Sequence, residues 1–392
     1  MERSMTEEQL IAHRWQVNAT FIAVDEGGMK LKIAVNGKFL HCKTSGIVRV
    51  ATQVLTEIDR RLVNEAGLRQ AWAFELFVPP RTNVPFTLQQ IPTRVVGRCS
   101  GQIWEQLEFP LRSRGWRALN FTSTGPVLKR NSLSVIHDAQ VFRTPESFPL
   151  AQRVLHQLLN PLNGRLHRRI VTVSEFSQQE LEHFWVTPPR KAQVIHNAAD
   201  HVLGYEAEPE ILERFNLGGR IFLLANGYTQ AHKNVALLFD AMRYLARSDV
   251  ELVLFGNIDP QGFARQRAEL GDRVKFTGRI SDGELRALFE HAALFLFPSK
   301  TEGFGLPPLE AMALGCPCLV SDAGAVPDVC KDGAAYAPPD DPRQWAKRIG
   351  DLLGDDSYVA KLRSKGRKVA AGYSWSKAAG EYLDALRIPG AV

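Results

Sequence analysis

No apolar run among the 392 residues approaches the roughly 18 that a membrane-spanning helix needs. The best, 292–298, has the length of a buried strand. The opening residues, Met1-Glu2-Arg3-Ser4-Met5-Thr6-Glu7-Glu8, are acidic and have no apolar h-region, so no secretory signal is expected. There is no Gly-x-Gly-x-x-Gly after a strand with an acid about 20 residues on, which argues against a nicotinamide-dependent enzyme. No Asp-x-Asp offers itself to a divalent ion. Cysteines number only five, and none has zinc-type spacing with a histidine. Cys316-Pro317-Cys318 puts two thiols on one strand face, where buried thiols in a reducing cytosol are expected over a metal or redox role. What is present is ordinary for a globular chain: 45% hydrophobic and 23% charged residues exclude disorder, collagen and a disulfide-stapled scaffold. The length favours two domains or three.

Charge is unevenly placed. Residues 1–200 carry 25 Lys and Arg against 17 Asp and Glu, or +8, and residues 201–392 carry 23 against 25, or −2, which sum to +6. A basic first half suits an anionic partner. No nucleic-acid motif accompanies it, so a phosphorylated substrate or an anionic membrane surface is preferred to nucleic acid. A solvated arginine-rich face is the plain alternative.

Short apolar runs alternate with amphipathic stretches. In the second half, strands are expected at 221–225, 251–255, 274–276, 294–297 and 318–321, with helices at 235–246, 260–270, 285–291, 307–314 and 342–353. Ser281 with Glu284 three residues later reads as a helix start. The first half repeats the pattern less cleanly, with strands at 31–35, 74–78, 133–136, 170–173 and 194–195, and helices at 47–62, 150–166 and 177–185. Such alternation predicts an α/β fold of parallel sheets covered on both faces. Residues 197–219 look like the connection between domains. Residues 374–386 form an amphipathic helix with Trp375, Ala378, Ala379, Tyr382 and Leu383 near one face. The expected division is an extension at 1–20, domains at 21–200 and 201–373, and a C-terminal helix at 374–392. Open parallel sheets bind ligands at the carboxyl ends of their strands, so two facing sheets give a cleft with one reactant on each side.

The strongest motif is Ser299-Lys300-Thr301-Glu302-Gly303-Phe304-Gly305-Leu306-Pro307-Pro308-Leu309-Glu310, directly after the 294–297 strand. Gly303 and Gly305 let backbone approach a ligand. Pro307 and Pro308 suit a first helical turn. The amides of Phe304, Gly305 and Leu306 can then serve an anion such as a diphosphate. Glu310, expected in the first turn, can hold a vicinal diol such as a ribose, and Glu302 is within reach of a sugar hydroxyl. A Gly-Pro loop that merely opens a helix is the structural alternative. The second motif, Asn226-Gly227-Tyr228-Thr229-Gln230-Ala231-His232-Lys233-Asn234, follows another strand, and Lys233 supplies a mobile cation for phosphate oxygens.

Together these residues resemble glycosyltransferase family 4, the retaining sugar-nucleotide transferases of GT-B architecture. Glu302 and Glu310 match its Glu-x7-Glu motif, and Gly227 to Asn234 its donor-phosphate loop. Thr44-Ser45-Gly46-Ile47-Val48-Arg49 resembles the glycine loop after the first strand, Ile136-His137-Asp138 the His-Asp of the acceptor domain, and Phe276-Thr277-Gly278-Arg279 the segment near the base. Two departures stand out: Gly227 holds the place of a common arginine, and Asn197-Ala198 replaces Asn-Gly.

The resemblance implies two facing Rossmann-like domains with an interdomain cleft and a C-terminal helix able to return to the first. It implies transfer of a hexose from a nucleotide-diphosphate sugar, GDP-mannose before UDP-sugars, to a glycan or lipid-diphosphate-linked glycan of bacterial polysaccharide synthesis, with retention. His137, Lys233 and Glu302 are the expected catalytic residues. Gly46, Gly227, Lys233, Arg279, Gly303, Phe304, Gly305, Leu306 and Glu310 would bind the donor, and Arg49 and Asp138 the acceptor. No metal or other cofactor is expected. The expected location is the cytoplasm, with a peripheral site on the plasma membrane's inner face as an option. A GT-B epimerase or phosphorylase and a non-catalytic sugar-nucleotide-binding protein are the rival readings.

Overall fold

The computed structural model describes residues 30–387 apart from 43–44, 229 and 258–259. The expected N-terminal extension and Thr44 of the glycine loop lie outside the described residues. The described strands are Leu31–Asn36 (β1), Trp72–Val78 (β2), Thr93–Val95 (β3), Arg117–Asn120 (β4), Ser132–Val135 (β5), Arg169–Thr172 (β6) and Ala192–Val194 (β7) in the first lobe. The second lobe contains Ile221–Asn226 (β8), Val250–Phe255 (β9), Val274–Gly278 (β10), Leu294–Phe297 (β11), Cys318–Ser321 (β12) and Ala335–Ala337 (β13). The sheets run β3-β2-β1-β4-β5-β6-β7 and β10-β9-β8-β11-β12-β13. Their pairings are parallel.

β9, β11 and β12, apolar but for Glu251 and Ser321, are buried along their whole length, as strands covered on both faces must be. In each sheet the order reverses beside the first strand, at β1/β4 and at β8/β11. A crevice opens at the carboxyl ends there, and the two motif loops leave from β8 and β11. Ser281 and Glu284 close a reciprocal capping box on the Asp282–His291 helix.

The C-terminal helix Trp375–Arg387 returns to the first lobe. Trp375, Ala378, Ala379, Tyr382 and Leu383 are buried in the same core as Ile33, Val54 and Leu119. Arg61 donates to the Ser376 carbonyl at 2.6 Å.

Some elements escaped the sequence patterns. β3 is fully exposed, so it shows no apolar alternation. Helix Asp356–Ala371 buries little beyond Leu362, Gly366 and Ala370, small contacts that its lysines and arginines mask. The connection 197–219 is not a bare linker: it holds a 3-10 turn, Asp200–Gly204, and a short helix, Glu210–Arg214, with Val202, Ile211 and Leu217 in the second core. Cys316 and Cys330 are unpaired thiols that burial pushes up to about 12.

One buried imidazole makes acid stability testable. His167 Nε2 lies 3.0 Å from the Pro126 carbonyl and Nδ1 lies 2.7 Å from Ser134 Oγ, so the ring is a neutral donor–acceptor bridge. Desolvation lowers its pKa to about 4. The unfolded chain binds that proton near pH 6.5, so its contribution is full above that pH and is lost as pH falls towards 4. The urea stability should therefore drop by up to about 1.4 kcal/mol per pH unit through this group between roughly pH 6.5 and 5. His167→Gln keeps both hydrogen bonds without a titrating group and should flatten that slope; an unchanged slope would remove His167 as its source.

Candidate active site

The Glu302–Leu306 turn opens the helix Leu306–Ala313. Gly305 caps it with φ 99°, a conformation that only glycine adopts cheaply. Because Pro307 and Pro308 carry no N–H, Leu306 is left with the exposed donor of the first turn. The amides of Phe304, Gly305 and Leu306 have no hydrogen-bond partner among the described residues. Phe304 anchors the turn by edge contact with Tyr373, 5.8 Å between ring centres. Glu310 lies in the second helical turn rather than the first, because the helix begins at Leu306.

The β8 loop docks beside this turn. Asn234 sits in the left-handed region at φ 58° and donates to the carbonyls of Pro298 at 3.0 Å and Pro339 at 2.6 Å. Lys300 N donates to His232 O at 2.8 Å. These bonds bring Lys233 Nζ to 2.8 and 3.0 Å from the two oxygens of Glu302. Asn226 Oδ1, His232 Nδ1 and Thr301 Oγ1 are buried here without a partner among the described residues. Buried polar atoms are nearly always paired, so the mouth of β8 and β11 is built for a polar ligand. Desolvation holds His232 down at about 4, so it adds no positive charge at neutral pH.

The first lobe meets the same turn. Ser174 Oγ and Ser177 Oγ both donate to Gly303 O, at 2.6 and 3.0 Å, and Gln140 Nε2 donates to Thr301 O at 3.2 Å. A Cβ on Gly303 would stand 2.8 Å from Asp138 Cβ and 3.0 Å from His137 O. Glycine is required there because two lobes touch through it. His137 Nε2 is 2.9 Å from the Phe121 carbonyl, which can only accept, so Nε2 carries the proton and Nδ1 keeps its lone pair. Desolvation lowers the His137 pKa, leaving the ring neutral. Burial raises Asp138 above the usual carboxylate range, although its Oδ1 accepts from Gln140 N.

Arg49, the expected acceptor residue, reaches from the helix Ser45–Asn64 to the second lobe, pairing with Asp282 at 2.6 Å and donating to Tyr205 OH at 2.9 Å. Its Nε is 3.8 Å from Glu310. The sequence could not show this, because the partners lie 156 and 233 residues away. Gly46 opens the same helix, and no atom lies within 4 Å of where its Cβ would be, so backbone is open to a ligand. Arg279 is exposed just past Gly278, at the end of β10. Gly227 N is tied to Phe255 O at 2.6 Å, which carries the β8–β9 pairing one residue past β8.

Comparison with known proteins now bears on this geometry. Residues 208–369 match the model of the family described as glycosyl transferases group 1. The chain is 32% identical over 293 residues to the MMP alpha-(1->4)-mannosyltransferase of Mycolicibacterium hassiacum, across 64% of this chain and 70% of that enzyme. The chain belongs to the group 1 glycosyltransferases. It is also 29% identical over 247 residues to the O-antigen chain mannosyltransferase RfbU of Salmonella typhimurium, across 60% of this chain and 66% of the relative, so it spans about two thirds of that protein's length. Among solved structures, Anabaena HepE in complex with UDP-glucose superposes with a TM-score of 0.69 at 18% identity, over 91% of this chain and 99% of that one. That likeness shows the GT-B fold: two parallel-sheet lobes around a cleft.

Several residues of this glycosyltransferase site lay beyond sequence reasoning. His201 Nδ1 accepts from Trp375 Nε1 at 3.0 Å, which places its own N–H on Nε2, 3.2 Å from Glu310 Oε1. Thus the returning C-terminal helix props the histidine that faces Glu310. Ala325 N holds the Glu302 carbonyl at 3.1 Å. Each of these is an ordinary residue until the fold brings it to the turn.

Proposed function

We propose that this glycosyltransferase moves a mannosyl unit from a nucleotide-diphosphate sugar, GDP-mannose first, to a glycan or lipid-diphosphate-linked glycan, with retention at the anomeric carbon. The observation that carries the reading is the Lys233–Glu302 pair beside the unpartnered amides of 304–306, opposite His137 and Asp138. Breaking the anomeric bond leaves negative charge on the departing diphosphate, which fixed donors must meet. Lys233, the three amides and the Gly46 backbone supply them, so no metal is required. Glu302 holds a hydroxyl of the transferred sugar, and His137 Nδ1 accepts from another. Glu310, with His201 Nε2 3.2 Å away, takes the ribose diol. The departing phosphate then assists the acceptor on the same face. The names of the relatives favour mannose; HepE with UDP-glucose keeps UDP-sugars as the next donors to try. An anionic membrane surface is the proposed meeting place with the acceptor.

Binding of a panel of nucleotide sugars, then transfer to an acceptor panel, tests this. GDP-mannose should bind tightest and transfer should persist in EDTA. Loss of activity restored by Mg²⁺ or Mn²⁺ would remove the metal-free account. Interconversion of the sugar without any acceptor would favour an epimerase, and binding without transfer or hydrolysis a non-catalytic protein.

A further inference from the structure

Apolar side chains in the first lobe are turned outward in an ordered way. The helix Leu150–Leu166 buries Asn160, Asn163 and Gly164. It exposes Leu150 (72%), Val154 (47%), Leu158 (62%) and Leu162 (44%), one every fourth residue along about 18 Å of axis. Its amphipathicity is inverted, with asparagine inside and leucine outside. A second helical stretch does the same. Residues 101–112 form a helix whose middle turn, Trp104–Glu108, is a π turn, and Ile103, Leu107 and Leu111 stand exposed at the same four-residue step.

The two stripes are neighbours. Gln106, from one helix, and Asn163, from the other, both donate to the Gly125 carbonyl, at 3.3 and 2.9 Å. Leu128, 83% exposed, sits on the loop between them. Eight of the thirteen exposed large apolar side chains of the described residues fall on this one face. A cluster of that kind marks an interaction surface, whereas scattered single residues do not.

Charge identifies the partner. No acid occurs in 109–137 or in 147–174, and those segments carry five and four Lys or Arg. Arg112, Arg114, Arg130 and Arg165 are exposed. Glu105, in the π turn, is fully buried against Lys38 and Asn36, so it does not offset them at the surface. A second copy of this face would bring like charges together. Leucines and a cationic rim on the same surface suit acyl chains beneath anionic headgroups.

We propose that the face built from 101–112, Leu128 and 150–166 docks on an anionic lipid bilayer, with the leucines entering the headgroup–acyl boundary and the arginines meeting lipid phosphates. It rests on the membrane meeting place proposed above but stands apart from the donor site, so its test needs neither donor nor acceptor, and its failure removes that meeting place while leaving the transfer reading untouched. The full chain is floated with vesicles of phosphatidylcholine alone and of equal parts phosphatidylcholine and phosphatidylglycerol. It should float with the anionic vesicles and be released in part by salt, and it should not float with phosphatidylcholine alone. Leu111→Glu with Leu158→Glu should weaken binding by about tenfold or more, and Arg112→Ser with Arg165→Ser should reduce both binding and its salt dependence. Leu111→Ser with Leu158→Ser serves if the glutamates disturb folding, which circular dichroism reports. No flotation, or flotation untouched by the leucine variants, overturns the proposal. So does a dimer in light scattering that the serine variant dissolves, since the face would then belong to a second copy.

Discussion

Lys233→Ala is expected to lower transfer about 100- to 1000-fold in kcat, the range seen when one fixed donor to a developing oxyanion is removed. Its Nζ is the cation that the β8 loop delivers to the turn, 2.8 Å from Glu302. Glu302→Gln should lose a similar factor by a different route. It keeps the shape but gives up the charge that orders Lys233 and half of the acceptor capacity offered to a sugar hydroxyl. Because the pair acts as one unit, the double variant should be little worse than either single one. Lys233→Ala leaves a carboxylate only 7% exposed without its partner, so thermal melting belongs beside the kinetics. Near-normal turnover in both single variants, with either donor class, would reject the site assignment.

Gly303→Ala should damage transfer by wedging the seam between the lobes. The added carbon meets Asp138 Cβ at 2.8 Å and His137 O at 3.0 Å, and those neighbours are backbone or short side chain that cannot swing away. The lobes must part, and the Ser174 and Ser177 hydrogen bonds to Gly303 O lengthen with them. A displacement near 1 Å between reacting groups costs about 100-fold in rate, whereas the overpacking itself costs about 1–3 kcal/mol in stability. Transfer should thus fall by about 100-fold while donor affinity changes much less, since the donor loop belongs to one lobe. Equal losses in donor binding and in turnover would show instead that the turn itself had collapsed. Gly305→Ala offers a contrast: it strains a left-handed residue at φ 99° within one lobe, so donor binding should suffer first.

How much of this was legible beforehand differs by element. β9, β11 and β12 announce themselves because burial on both faces demands a mostly apolar run, interrupted only by Glu251 and Ser321. The exposed edge strand β3 and the lysine-rich helix Asp356–Ala371 do not, because their packing rests on few or small residues. The 302–310 turn was readable because its geometry is local: two glycines, two prolines and two acids within nine residues force a helix start with open amides. The bridge from Arg49 to Asp282 was not legible, because an arginine near a loop says nothing about which lobe its long side chain will cross to.

Local order, then, was written into the chain from the start: alternating strands and helices, and a glycine–proline turn. Each depends on contacts within a few residues, so composition and spacing carry it. Tertiary structure alone decided that Gly303 is the seam between lobes, that Trp375 holds His201 beside Glu310, and that Arg49 bridges to Asp282. Those outcomes depend on atoms brought within 3–4 Å from up to 233 residues apart, a distance in sequence over which no local pattern reports.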